Sequence, residues 1–154
     1  MFLEQSGSIV LLTRDDDNAL GDTKNTDLSA RKNIANEQHA DIMISIHQNS
    51  FPKANVRGAQ VFYFSGSSAS KFLAESIQHE LIAFIDPNST KRATASESYY
   101  MLKKPIVPSV IVECGFLSNP GEEGLLNTEE HQEKIAWAIY LGIVNYFQNH
   151  MPPQ

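Results

Sequence analysis

Cysteine is almost absent from this chain: its 154 residues hold one, Cys114. No intrachain disulfide can form, so the fold does not depend on an oxidising compartment, and stability has to come from buried apolar surface. Basic charge is scarce as well. Twelve Lys and Arg stand against eighteen Asp and Glu, a net charge of −6. That balance excludes the broad cationic face of a non-specific nucleic-acid binder. It also gives little attraction to anionic membranes or wall polymers, though a local cationic or neutral groove remains compatible with it. Long apolar runs are missing: stretches such as Ser109–Cys114 are far too short to span a bilayer. Residues 1–7 lack the basic-then-apolar order of a signal peptide. No internal repeat or low-complexity linker divides the chain, and its length fits one domain, residues 1–154, with a substantial core.

What is present is an alternation of strand and helix patterns. Ser8–Thr13 is short, apolar and rich in branched residues, and reads as a buried strand. A polar loop follows, with three successive aspartates at 15–17. They lack the alternating ligands, glycine and distal Glu of a calcium loop, so they read as a solvated turn. Thr26 or Asp27 can cap a helix reaching about His39, with Leu28, Ile34 and Ala35 inward. Ile42–His47 and Ala59–Phe64 read as strands. Ser65–Ser68 is turn and cap chemistry, and Leu73, Ile77, Leu81 and Ile85 give the next helix one apolar face, ended at Asp86-Pro87. Residues 88–98 read as loop and Tyr99–Leu102 as a short strand. Pro108–Glu113 is the clearest strand, followed by a loop at Asn119-Pro120-Gly121. Thr128 can cap a last helix with Ile135, Ile139, Ile143 and Phe147 in one stripe, and residues 151–154 form a tail. Continuously apolar strands between helices imply a sheet covered on both faces, hence a layered α/β fold.

Two polar residues close the two best strands: His47 after Ile42–Ile46, and Glu113 after Val110–Val112. The carboxyl ends of strands are where open α/β sheets bind ligands. Imidazole is a common zinc ligand, and a carboxylate beside an activated water can take its proton and pass it to a leaving amine. The bland alternatives are equally compatible with the pattern. A strand-end His is often a hydrogen-bonded boundary residue, and a strand-end Glu often reaches solvent or caps a helix. The remaining histidines, His39, His79, His131 and His150, read as surface residues. Cys114 reads as a small buried residue, because the neighbouring carboxylate would raise its pKa rather than activate it. Gly66-Ser67-Ser68 reads as ordinary capping, and Tyr99 and Tyr100 either line a groove or pack.

The words around His47 and Glu113 narrow these alternatives. Ile44-Ser45-Ile46-His47-Gln48-Asn49-Ser50 resembles the S-I-H-x-N block of the zinc-dependent N-acetylmuramoyl-L-alanine amidases of the amidase-3 type. Val112-Glu113-Cys114-Gly115-Phe116-Leu117-Ser118-Asn119-Pro120 resembles their V-E-x-G-F-L-S-N block. Leu12-Thr13-Arg14, Leu28-Ser29-Ala30-Arg31 and Ala35-Asn36 follow the family's order, and Ile135–Ile139 with Gly142-Ile143 looks like its last helix. The resemblance covers nearly all of residues 8–148 and is nearest to the spore-cortex, germination-specific members.

The resemblance implies a three-layer α/β/α fold on a mixed, mostly parallel sheet. It implies peptidoglycan as substrate, zinc as cofactor, and a place outside the cytoplasm, in the cell wall or spore cortex. His47 matches a zinc ligand of the family, and Glu113 its catalytic glutamate. Two further family ligands, a His in a D-x-G-H-G-G block and a Glu on the following helix, precede the L-T-R stretch. Only seven residues stand before Ser8 here, none of them histidine, and Glu4 falls too late to match. The expectation is therefore a chain without the family's first strand and most of its first helix, and a weak metal binder. Two alternatives stay beside the amidase reading: a metal-free peptidoglycan-binding module on the same scaffold, and a zinc carboxypeptidase of similar layered fold.

Overall fold

The structure, a computed structural model, describes residues 2–150; the tail at residues 151–154 lies outside the described residues. Its centre is a strand, β4, Ser109–Phe116, in which every residue is buried. The run Val110-Ile111-Val112 supplies branched side chains to both faces, as a strand with neighbours on either side and layers above and below requires. Strand β1, Met43–Asn49, lies parallel to it on one side. Strand β2, Gln60–Tyr63, lies antiparallel on the other and carries the two-residue strand β3, Thr94–Ala95, parallel at its far edge. The order is β1-β4-β2-β3, a mixed sheet.

The two faces are covered by different helices. On one, Val61, Val110, Val112 and Cys114 pack against helices α3, Ser68–Ile85, and α6, Glu129–His150. Leu73, Ile77 and Leu81 of α3 and Ala138, Ile139, Ile143 and Tyr146 of α6 are all buried there, so both expected apolar stripes face the sheet. Burying each of the Leu and Ile side chains contributes about 1.5–3 kcal/mol. Gly142 lets the two helices touch: a Cβ at that position would stand 2.5 Å from the Cα of Ile77. On the other face Met43 meets Ala35 of helix α2, Lys24–Glu37, and Met101 of the single-turn helix α4, Tyr100–Lys103. Helix, sheet and helix thus form the expected three layers. A four-residue helix α1, Phe2–Gln5, lies against α6, with Phe2 packed on Trp137 and Tyr140.

Several local expectations are corrected. Ser8–Thr13 is not a strand: it pairs with nothing in the sheet, and Ile9 and Leu12 are 91% and 68% exposed. Branched apolar residues favour extension, but a strand exists only where a neighbour takes its backbone hydrogen bonds. Thr23, not Thr26 or Asp27, caps α2; Thr26 is the third helical residue and answers it reciprocally in a capping box. Tyr99–Leu102 gives α4 rather than a strand. Residues 88–98 contain β3, and Pro120–Leu126 forms a short helix, α5, started by a proline at its first position and capped by Asn119. Ser67 caps α3 as expected, and Thr128 takes a hydrogen bond from the His131 amide at the start of α6.

Candidate catalytic face

The register of β1 on β4 sets His47 directly opposite Glu113, and the register of β2 on β4 sets Gln60 on the other side of Glu113. Side chains of paired residues project from the same face of a sheet. His47, Glu113 and Gln60 therefore form a row across three strands. It lies on the face that Met43 shares with α2 and α4, in the carboxyl-terminal half of β4. The two residues are paired, but neither closes its strand: β1 continues to Asn49 and β4 to Phe116.

Burial divides the row. His47 is exposed, on the outermost strand. Glu113 is only 7% exposed, and its Oε2 is a fully buried atom with no hydrogen-bond partner. An unsatisfied buried oxygen of this kind costs about 1–3 kcal/mol, and more when charged. Burial pushes the Glu113 carboxyl above the usual glutamate range, and the His47 charge partly opposes that rise. Tyr99, at the cap of α4, is close enough to feel the same carboxylate: burial first and Glu113 second hold its hydroxyl above the ordinary tyrosine value. Phe62 packs on the Tyr99 ring at 5.7 Å. Cys114 points away into the core, its thiol pushed up to about 12 by burial and then by Glu113. It is an inert packing residue, as read.

Much of the second sequence block holds this row in place. Leu117 donates its amide to the Asn49 carbonyl, and Ser118 Oγ accepts from the Phe51 amide. Asn119 caps α5 and donates to the Val56 carbonyl. The Glu122 carboxylate accepts from the amides of Gly58 (2.8 Å) and Phe116 (2.9 Å). Together these bonds fasten the loop after β1 to the end of β4. Sequence reasoning missed Glu122, and it missed Gln60 and Lys91, which stand next along the row. No periodicity marks single polar residues in loops and strand starts, so nothing in the pattern pointed to them.

The other candidates are elsewhere. His39, His79 and His150 are exposed, His79 against Glu80 and His150 stacked on Phe72; His131 is half-buried rather than fully at the surface. Asp16 is occupied with the amide and side chain of Asn18, a solvated turn as expected. A cavity of about 270 Å³, lined by Phe64, Ser67, Leu102, Ile106 and Pro108, opens at the start of β4, the end of the sheet away from Glu113.

A mixed sheet between two helical layers, with an acid and an imidazole paired on adjacent strands, defines a layered α/β protein. The chain belongs to the N-acetylmuramoyl-L-alanine amidase family, Amidase_3, whose profile matches residues 1–145. It is 34% identical over 154 residues to the germination-specific N-acetylmuramoyl-L-alanine amidase of Bacillus subtilis (strain 168), covering 95% of this chain and 65% of that protein. It is 31% identical to the N-acetylmuramoyl-L-alanine amidase LytC of the same strain, covering 95% of this chain and 28% of that protein. The chain thus spans just under two thirds of the first of these relatives and under a third of the second. Among solved structures it is similar to the CwlD amidase of Clostridioides difficile in complex with the GerS lipoprotein. The TM-score there is 0.91 at 41% identity, over 95% of this chain and 79% of that one.

Proposed function

We propose that this chain forms the catalytic face of a peptidoglycan hydrolase that cleaves the amide between the lactyl group of N-acetylmuramic acid and the L-alanine of the stem peptide. The observation that carries the reading is the register pair His47–Glu113, with the Glu113 carboxylate sheltered and one of its oxygens unpartnered. A carboxyl held above its ordinary pKa, with one buried oxygen left without a hydrogen-bond partner, suits the two halves of amide hydrolysis. Ionised, it accepts a proton from attacking water; protonated, it returns that proton to the departing alanine nitrogen. His47, exposed beside it, biases Glu113 toward the ionised form whenever the imidazole is charged. The same reading puts the working protein outside the cytoplasm, in cell wall or spore cortex.

Zinc, which the family resemblance implies, ordinarily takes three protein ligands and an open position. The row supplies one imidazole and one carboxylate. Among the described residues no group of three or more His, Cys, Asp or Glu side chains stands together. These residues do not make a complete zinc site, and the proton chemistry above is assigned to Glu113 alone. The expected result of a zinc titration is accordingly weak binding; stoichiometric, sub-micromolar uptake by the chain would contradict this.

Product analysis on purified muropeptides tests the reaction. Released stem peptides bearing a free L-alanine amino group mean amidase. Shortened stems still attached to the sugar mean a carboxypeptidase, and binding without any product means a module that has kept the scaffold only.

A further inference from the structure

Beside the acid–imidazole pair lies a cation that the reaction itself does not use. Gln60, the cross-strand neighbour of Glu113, has its amide oriented by two acceptors: its Nε2 donates to the Arg92 carbonyl (3.2 Å) and to Thr94 Oγ1 (2.9 Å). That leaves its Oε1 as an acceptor, and Lys91 Nζ donates to it at 3.4 Å. The same Nζ stands over the Phe116 ring, 5.1 Å from its centroid. The stem of Lys91 lies along Gly58, where a Cβ would meet its Cγ and Cε at 3.5 and 3.6 Å. Gly58 has φ +97°, a backbone region open to glycine and strained for other residues. Its amide is pinned by Glu122. The half-buried lysine is therefore laid in one orientation by a neutral amide oxygen, an aromatic face and a bare stretch of backbone.

Lys91 makes no ion pair among the described residues. The Glu122 carboxylate, held by the amides of the two residues Lys91 lies against, uses one oxygen on each of those amides. The charge acting on Glu113 comes from His47. An ammonium fixed by neutral groups and without an ion-pair partner among the described residues is available to an anion.

We propose that Lys91, set by Gln60, Phe116 and Gly58, is a substrate-positioning residue that binds the carboxylate of the stem-peptide residue following L-alanine. The inference rests on the amidase reading for the identity of the peptide. Geometry supports the assignment. Neighbouring strands are about 4.7–4.9 Å apart, so Gln60 stands one strand spacing from Glu113, and the ammonium lies 3.4 Å beyond the Gln60 side-chain oxygen. The residue after the scissile alanine follows it by one peptide repeat, about 3.8 Å between Cα atoms. A carboxylate on that residue reaches Lys91 while the scissile amide sits over Glu113. When the same residue is amidated, the peptide offers a neutral carbonyl and an N–H₂ instead, and the charge-assisted bond is lost.

The test compares two probes on the full chain: N-acetylmuramoyl-L-alanyl-D-glutamate and its D-isoglutamine counterpart, both with the γ-carboxyl blocked as the N-methylamide, so that they differ by the α-carboxylate alone. Equilibrium binding is measured for the unaltered protein, Lys91→Met and Lys91→Arg. The expected result is about tenfold tighter binding of the glutamate probe by the unaltered protein. Lys91→Met should lose that preference while binding the isoglutamine probe as before, and Lys91→Arg should keep most of it. Equal or undetectable binding of both probes by the unaltered protein overturns the proposal, as does a preference that survives in Lys91→Met. Release of free L-alanine amino ends is scored in the same samples. Its absence counts against the hydrolase reading without touching the binding ratio.

Discussion

Ile46 and Val112 are direct partners across β1 and β4, of nearly the same chemistry, yet Val112 is 0% exposed and Ile46 64%. The strands that carry them read alike in sequence, both short runs of branched residues closed by a polar side chain. They differ in what surrounds them. β4 has a strand on each side and helices on both faces; β1 is an edge, with burial only at Met43. The chemistry inherits that difference. Glu113, on the central strand, is dry and has a shifted pKa, while His47, on the edge, is wet and free to meet a ligand. An apolar run states that a segment can be buried; only the sheet order decides whether it is.

The largest effect expected from disturbing this contrast is on turnover. On the proposed function Glu113→Gln removes the proton carrier while keeping shape, and any release of free L-alanine amino ends by the unaltered protein should fall by roughly 10²–10⁴. The change leaves His47 in place, so muropeptide binding should persist. Activity near that of the unaltered protein would remove Glu113 from the reaction. Next comes the packing that buries β4. Gly142→Ala drives a methyl group into the backbone of α3, and should lower stability by about 2 kcal/mol, roughly 4–8 °C in Tm. An unchanged Tm would show that α3 and α6 have room to separate.

The contrast itself is sharpened by truncating the two partners separately. Val112→Ala should cost about 1.5–3 kcal/mol, whereas Ile46→Ala should stay within about 0.5 kcal/mol, both read from denaturant unfolding. Equal losses would mean that β1 is covered in solution. The smallest effect concerns pH. A carboxyl whose folded pKa is raised favours the folded state when protonated, so its contribution is present at low pH and declines as pH rises through the folded value. Between pH 4 and 8 the stability of the unaltered protein should therefore fall slightly relative to Glu113→Gln. A relative gain over that window would reverse the assigned shift.

The sequence made the layered fold, the three long helices and the placement of His47 and Glu113 on two apolar strands legible, because these follow from periodicity and from two family-like words; it stopped both strands too early, at His47 and Glu113 rather than Asn49 and Phe116. It did not reveal the fate of Ser8–Thr13, whose branched residues promise a strand that has no partner. Nor did it separate α4 from a strand at Tyr99–Leu102, where four residues are too few for periodicity to decide. The row beyond Glu113 was illegible for a different reason. Gln60 and Lys91 are 31 positions apart, are joined by a 3.4 Å contact, and carry no spacing signal. The family-like Phe116–Asn119 word is chiefly a fastening between loop and strand, a role visible only once its hydrogen bonds are traced.

The central claim is that the 47 and 113 side chains act on one another across adjacent strands, and a carbon-13 NMR titration of the metal-free chain reads it directly. The Glu113 carboxyl should titrate above the ordinary 4.5 and move higher still in His47→Gln, because burial raises it and the imidazolium lowers it. A midpoint at or below 4.5, or one indifferent to the loss of His47, would contradict the account.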